Sequence, residues 1–91
     1  MSAKEKKLPE FLVKEKTEEF KSLVLFNDDF NAFDYVIRCL VEVCEHDEMQ
    51  AENCAMIAHF KGKCPVKNGS FDELKPKKDE MIRRKLTVEI Q

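Results

Sequence analysis

The chain contains no tryptophan, a single tyrosine, two glycines and three prolines in 91 residues. No segment is of low complexity and none repeats. No apolar run reaches the roughly 18 residues that a bilayer-spanning helix needs, so no membrane role is expected. Neither sign of charge dominates: 16 Lys and Arg stand against 18 Asp and Glu, a formal charge of -2. The cations are dispersed rather than striped along one element, which argues against general nucleic-acid affinity through counterion release. The opening Met-Ser-Ala-Lys-Glu-Lys-Lys lacks the apolar stretch of a signal peptide, and a cytoplasmic location is the expectation.

Four cysteines are present, Cys39, Cys44, Cys54 and Cys64. In a cytosolic chain they are expected as reduced thiols that act as small apolar residues. Structural zinc favours Cys pairs two to four residues apart, whereas the intervals here are five, ten and ten, with His46 and His59 in no matching register. No metal and no cofactor are expected. Asp28 and Asp29 adjoin, but neighbours on an extended chain point to opposite faces, and no Ser, Cys or His lies in a nucleophile motif. An enzyme is therefore not expected.

A chain of this length supports one domain and buries only about 60–65% of the surface its unfolded form exposes. Residues 1–20 are rich in charge, with Phe11-Leu12-Val13 as their one apolar cluster, and read as a flexible extension carrying at most a helical turn at Leu12 to Phe20. The ordered core is expected over residues 21–91. Ser22–Asn27 reads as a strand covered on both faces. Phe33, Val36, Ile37, Leu40, Val41 and Cys44 follow one helix face, predicting a helix from about Ala32 to Glu45 with Asn31 as N-cap. Asp47 and Gln50 open a second helix whose small face is Ala51, Cys54, Ala55 and Ala58, and Gly62 is placed to end it. Cys64–Lys67 reads as an edge strand and Asn68-Gly69 as a turn. Ser70 and Glu73 form a capping box, but Pro76 lacks a backbone donor, which predicts a capped turn and then a helix starting near Pro76. Leu86–Ile90 alternates and closes the chain as a half-buried strand. The fold class is α+β: a small three-stranded antiparallel sheet packed on three helices, in the order β-α-α-β-α-β.

The strand that ends in Asn27-Asp28-Asp29 brings an amide and carboxylates to a rim, beside a helix that begins with Phe33 and Val36. Such a site suits an amine attached to an apolar side chain, and His59, as a neutral imidazole, can accept from an ammonium. Structural uses stand beside these. Asn27-Asp28-Asp29 can end the strand and cap the helix, His59 can be a satisfied core histidine, and Phe33 and Val36 can be core.

Val24-Leu25-Phe26-Asn27-Asp28-Asp29-Phe30, then Phe33-Asp34-Tyr35-Val36-Ile37, then Ala58-His59-Phe60-Lys61-Gly62-Lys63-Cys64 together resemble the ClpS family, over roughly residues 21–91. That family comprises adaptors that deliver N-degron substrates to the Clp protease. The resemblance implies that Asn27, Asp28 and His59 hold the α-amino group of a substrate's first residue. It implies a pocket for a large hydrophobic first side chain (Leu, Phe, Tyr or Trp) walled by Phe33, Val36, Ala55, Ala58 and Leu86, with Asp29 and Asn31 at the rim or as caps. The implied partner is the N-terminal domain of a Clp-family AAA+ unfoldase, ClpA-like, with Asp72 and Lys77 as contacts and residues 1–20 as the segment the unfoldase engages. Asn31-Ala32 stands where the family commonly has Thr-Pro, Phe33 where it has Met, and Ala55 and Ala58 where it has larger residues. The alternative is a small α+β docking domain that recruits a protein partner without reading an N-terminus.

Overall fold

The computed structural model describes residues 20–91, so the extension expected at residues 1–20 and its helical turn fall outside the described residues except for Phe20. Six elements follow in the expected order: β1 (Lys21–Phe26), α1 (Phe33–Cys44), α2 (Glu48–Lys61), β2 (Lys63–Gly69), α3 (Phe71–Arg83) and β3 (Val88–Ile90). The strands form one antiparallel sheet in the order β2-β1-β3.

The central place of β1 explains its continuous apolar run, since Leu23, Val24 and Leu25 are all buried. Alternation sends Leu23 and Leu25 to one face, where they join a core drawn from all three helices, including Leu40, Leu74 and Met81. Each such side chain contributes about 1.5–3 kcal/mol on burial. Val24 points to the opposite face of the sheet. Pro65 sits in β2, at an edge, and the register slips beside it, with Leu23 opposite Lys67 and Val24 opposite Pro65.

The buried arc of α1 differs from the expected stripe. Cys39, Leu40, Val43 and Cys44 are its buried residues, whereas Val36, Ile37 and Val41 are half-buried and Phe33 is 40% exposed. The helix packs against both α2 and α3, so the arc widens to take in Cys39 and Val43. Its N-cap is Ala32, with no side-chain cap, and not Asn31. Asn31 has another use, described below.

Three boundaries in the second half are also corrected. Asn68-Gly69 is not a turn but the end of β2, with Gly69 opposite Lys21 and Ser22 Oγ donating to Asn68 Oδ1 at 2.7 Å. The change of direction falls instead at Ser70, where the full capping box forms: Glu73 N–H donates to Ser70 Oγ at 3.1 Å and Ser70 N–H to Glu73 Oε1 at 2.9 Å. A Cβ on Gly69 would lie 2.5 Å from that Glu73 oxygen, so glycine keeps the room the box needs. Helix α3 therefore starts at Phe71 rather than near Pro76, and Pro76 lies in its interior. The proline forfeits one bond to the carbonyl of Asp72, an exposed residue whose carbonyl water can satisfy. The cap and the burial of Leu74 and Met81 outweigh that loss. β3 is shorter than expected because Leu86 belongs to the turn that ends α3.

Candidate functional site

The far end of β1 is clamped from two sides, by Phe26 N–H donating to Thr87 O and Asn27 N–H donating to Gly62 O, both at 2.9 Å. Past that clamp the chain turns around Asp28. Its Oδ1 accepts from the backbone N–H groups of Phe30 and Asn31, each at 2.9 Å, and its Oδ2 accepts from Asn31 Nδ2 at 3.0 Å. This is the side-chain turn that aspartate favours after a strand. Burial pushes the Asp28 carboxyl pKa up, but the bonds from the Asn31 backbone, the Asn31 amide and the Phe30 backbone outweigh it and hold the group below its ordinary value. Asp28 is an anion at neutral pH. A carboxylate has about four lone-pair positions, and three donors occupy it here, which leaves room for one more.

Behind this lip stands an apolar wall built from three helices. On α2 the small face presents Ala55 and Ala58, 4% and 3% exposed. That helix opens with Asp47 accepting from Gln50 N–H at 2.7 Å and closes at Gly62, whose φ of 99° puts it in the left-handed region. The end of α3 supplies Leu86. Leu86 N–H donates to Met81 O at 3.0 Å and Lys85 N–H to Ile82 O at 2.8 Å, the paired bonds of a Schellman cap, with Lys85 at φ 74° where glycine is usual. Leu86 and Met81 bury the hydrophobic contact that accompanies such a cap. From α1 come Phe33 and Val36.

These groups surround one cavity of about 460 Å³, lined by Leu25, Phe26, Asn27, Asp28, Asp29, Asn31, Phe33, Val36, Ala55, Ala58, His59 and Leu86. Every site residue expected from the sequence lies on it. Leu25 and Phe26 were missed. Their signal was their place directly before Asn27, which the strand reading assigned wholly to core.

The two histidines divide sharply. His59 is exposed in the last turn of α2, with its ring edge-on to Phe60 at 4.8 Å. The buried histidine is His46, 5% exposed, with Nε2 2.6 Å from Val66 O and Nδ1 without a partner. The cysteines are free thiols. Burial pushes Cys44 up to about 11, and burial with a hydrogen bond to Cys54 pushes Cys64 up to about 12, so neither is a thiolate at neutral pH. Among the described residues no group of three or more His, Cys, Asp or Glu side chains is placed to hold a metal ion. Nor is any helix there long and apolar enough to cross a membrane.

An open apolar cavity with an ionised carboxylate on its lip, in a small α+β domain, defines a recognition module. The chain belongs to the ClpS family: residues 15–89 match the model of the ATP-dependent Clp protease adaptor protein ClpS. It is thus a non-catalytic adaptor whose partner is a Clp protease. Among solved structures it resembles that of Agrobacterium tumefaciens ClpS2 bound to L-phenylalaninamide, with a TM-score of 0.70 and 21% identity over 81% of this chain and 96% of the other. No curated protein matches the chain.

Proposed function

We propose that the cavity receives the first residue of N-degron substrates, and that the protein delivers them to a ClpA-like AAA+ unfoldase in the cytoplasm. The α-ammonium would be held by Asp28, Asn27 and His59, and a Leu, Phe, Tyr or Trp side chain by Phe33, Val36, Ala55, Ala58 and Leu86. The observation that carries this reading is the pairing of an anionic acceptor that has one lone pair to spare with an apolar wall behind it. The ligand of the A. tumefaciens protein, a phenylalanine derivative with a free amine, has the same two parts. Burial of the side chain supplies about 1.5–3 kcal/mol. The charge-assisted bonds to the ammonium distinguish a true N-terminus from an internal residue. An acetylated terminus loses the positive charge and two donors, and leaves Asp28 without its partner. Residues 1–20 would engage the unfoldase during handover.

Fluorescence anisotropy of a labelled peptide with a free N-terminal Leu or Phe, beside its acetylated twin, tests the reading on wild type and Asp28→Ala. Binding that needs both the free amine and Asp28 is expected. Equal binding of the two peptides would return the docking-domain alternative to first place.

A further inference from the structure

One side chain ties the turn that carries Asp28 to the distant end of α3. Asn31 Nδ2 lies 3.0 Å from Asp28 Oδ2 and 2.9 Å from Lys85 O. Both partners are acceptors, so the amide nitrogen faces them and gives each one hydrogen. Asp28 Oδ1 already accepts two backbone N–H groups. The lone pair left for an incoming donor is therefore on Oδ2, the oxygen that Asn31 holds. Lys85 is the left-handed residue of the Schellman cap, and the next residue, Leu86, is part of the cavity wall.

We propose that Asn31 is a positioning residue: it aims Asp28 Oδ2 at the substrate's ammonium and locks the lip to the turn that places Leu86. The proposal rests on the N-terminus-binding reading of the cavity. It is not the helix cap that the sequence led us to expect, because α1 starts at Phe33 after an uncapped Ala32. The charged and titratable neighbours on the same cavity are Asp29 and His59, and Lys85 takes part through its carbonyl; burial and hydrogen bonds account for the shift of Asp28. Because Asp28 is held below its ordinary value, its full acceptor strength is present above that value and is lost as pH falls through the folded pKa. Removing one of the lowering bonds moves that loss to higher pH.

The experiment pairs an NMR titration of the Asp28 carboxyl carbon in the free protein with anisotropy of a free N-terminal Leu peptide, on wild type, Asp28→Ala, Asn31→Ala and Asn31→Ser. For Asn31→Ala the titration midpoint should rise and binding at pH 7 should weaken about tenfold, the lower end of what one hydrogen bond to a charged group carries. The acid limb of its binding curve should shift upward with the titration. Asn31→Ser keeps one donor for Asp28 and should lie between; if Asn31→Ala fails to fold, the serine variant decides by the same two readouts. An unmoved midpoint, or wild-type affinity in a variant whose midpoint has moved, overturns the role of Asn31 while Asp28-dependent binding by wild type keeps the recognition reading. Wild type that ignores the free amine overturns both.

Discussion

Two cavities on this small domain contain a histidine and a carboxylate, and they are built to opposite ends. The first, at the exit of β1, has His59 and Asp28 in front of Ala55, Ala58 and Leu86. The second, about 320 Å³ at the edge of β2, has His46 and Glu45 with Gln50, Lys67 and Asn68. In the second most polar groups are tied to the protein itself, although His46 Nδ1 has no partner. His46 donates from Nε2 to Val66 O, and Glu45 is 3.3 Å from Lys67 Nζ and 3.8 Å from Lys77 Nζ. In the first the histidine is exposed and the carboxylate, though ordered by three donors, keeps a lone pair. Polar residues make a receptor only where hydrogen-bonding capacity remains and apolar surface adjoins it; the free nitrogen of His46 stands among polar neighbours, and the ion pairs around it make a joint.

The largest effect should come from filling the first cavity. Ala55→Leu puts a branched side chain into the wall and should weaken binding of a free N-terminal Phe peptide by about 10- to 100-fold, the equivalent of losing the burial of its side chain. Gln50→Leu, in the second cavity, should leave that affinity unchanged. Anisotropy titrations of both variants check this, and equal losses would mean that the two cavities are not distinct in function.

Deleting each histidine in turn separates the two cavities more finely. His59→Ala should reduce peptide affinity about tenfold, as expected for one hydrogen bond to a charged group, while urea unfolding stays within about 0.5 kcal/mol of wild type, as for most surface substitutions. His46→Ala should do the reverse. It leaves Val66 O without its donor and opens a hole under β2, and should destabilise by about 1–3 kcal/mol with no change in affinity. If His46→Ala lost binding at unchanged stability, the second cavity would be a site rather than a joint.

How far such a division can be read from sequence depends on the range of the interactions. The lip was legible because its bonds are local: Asp28 is satisfied by residues two and three positions on, and the strand that precedes it is a plain apolar run. Helix α2 was legible for a different reason, since it has almost no amphipathic signal and only its caps and its alanines marked it; that those alanines face a pocket was implied by the family resemblance alone. The assignment of buried and exposed histidine could not be read, because His46 is fixed by a carbonyl twenty residues away on β2. The same holds for Asn31, whose second partner lies 54 residues off and is presented by a left-handed lysine at a position where a pattern reader looks for glycine. Pro76 misled for a physical reason. One missing donor is a local defect, and the capping box and two buried side chains on the same helix outweigh it.

The smallest expected effect concerns the mouth of the cavity, where Phe33 stands 40% exposed in front of the small residues of α2. The alanines leave breadth at the back, and the ring makes the entrance stiff. An aromatic first residue can meet Phe33 edge to face or offset, worth about 0.5–1.5 kcal/mol beyond area burial, an increment that a Leu side chain cannot collect. Phe33→Met replaces the ring by a flexible thioether that adapts to either shape. The preference for Phe, Tyr or Trp over Leu should then fall by about two- to tenfold, with the absolute affinity for Leu little altered. Competition of the four peptides against one labelled probe, on wild type and variant, measures the order directly, and an order unchanged by the substitution would show that the wall alone sets selectivity.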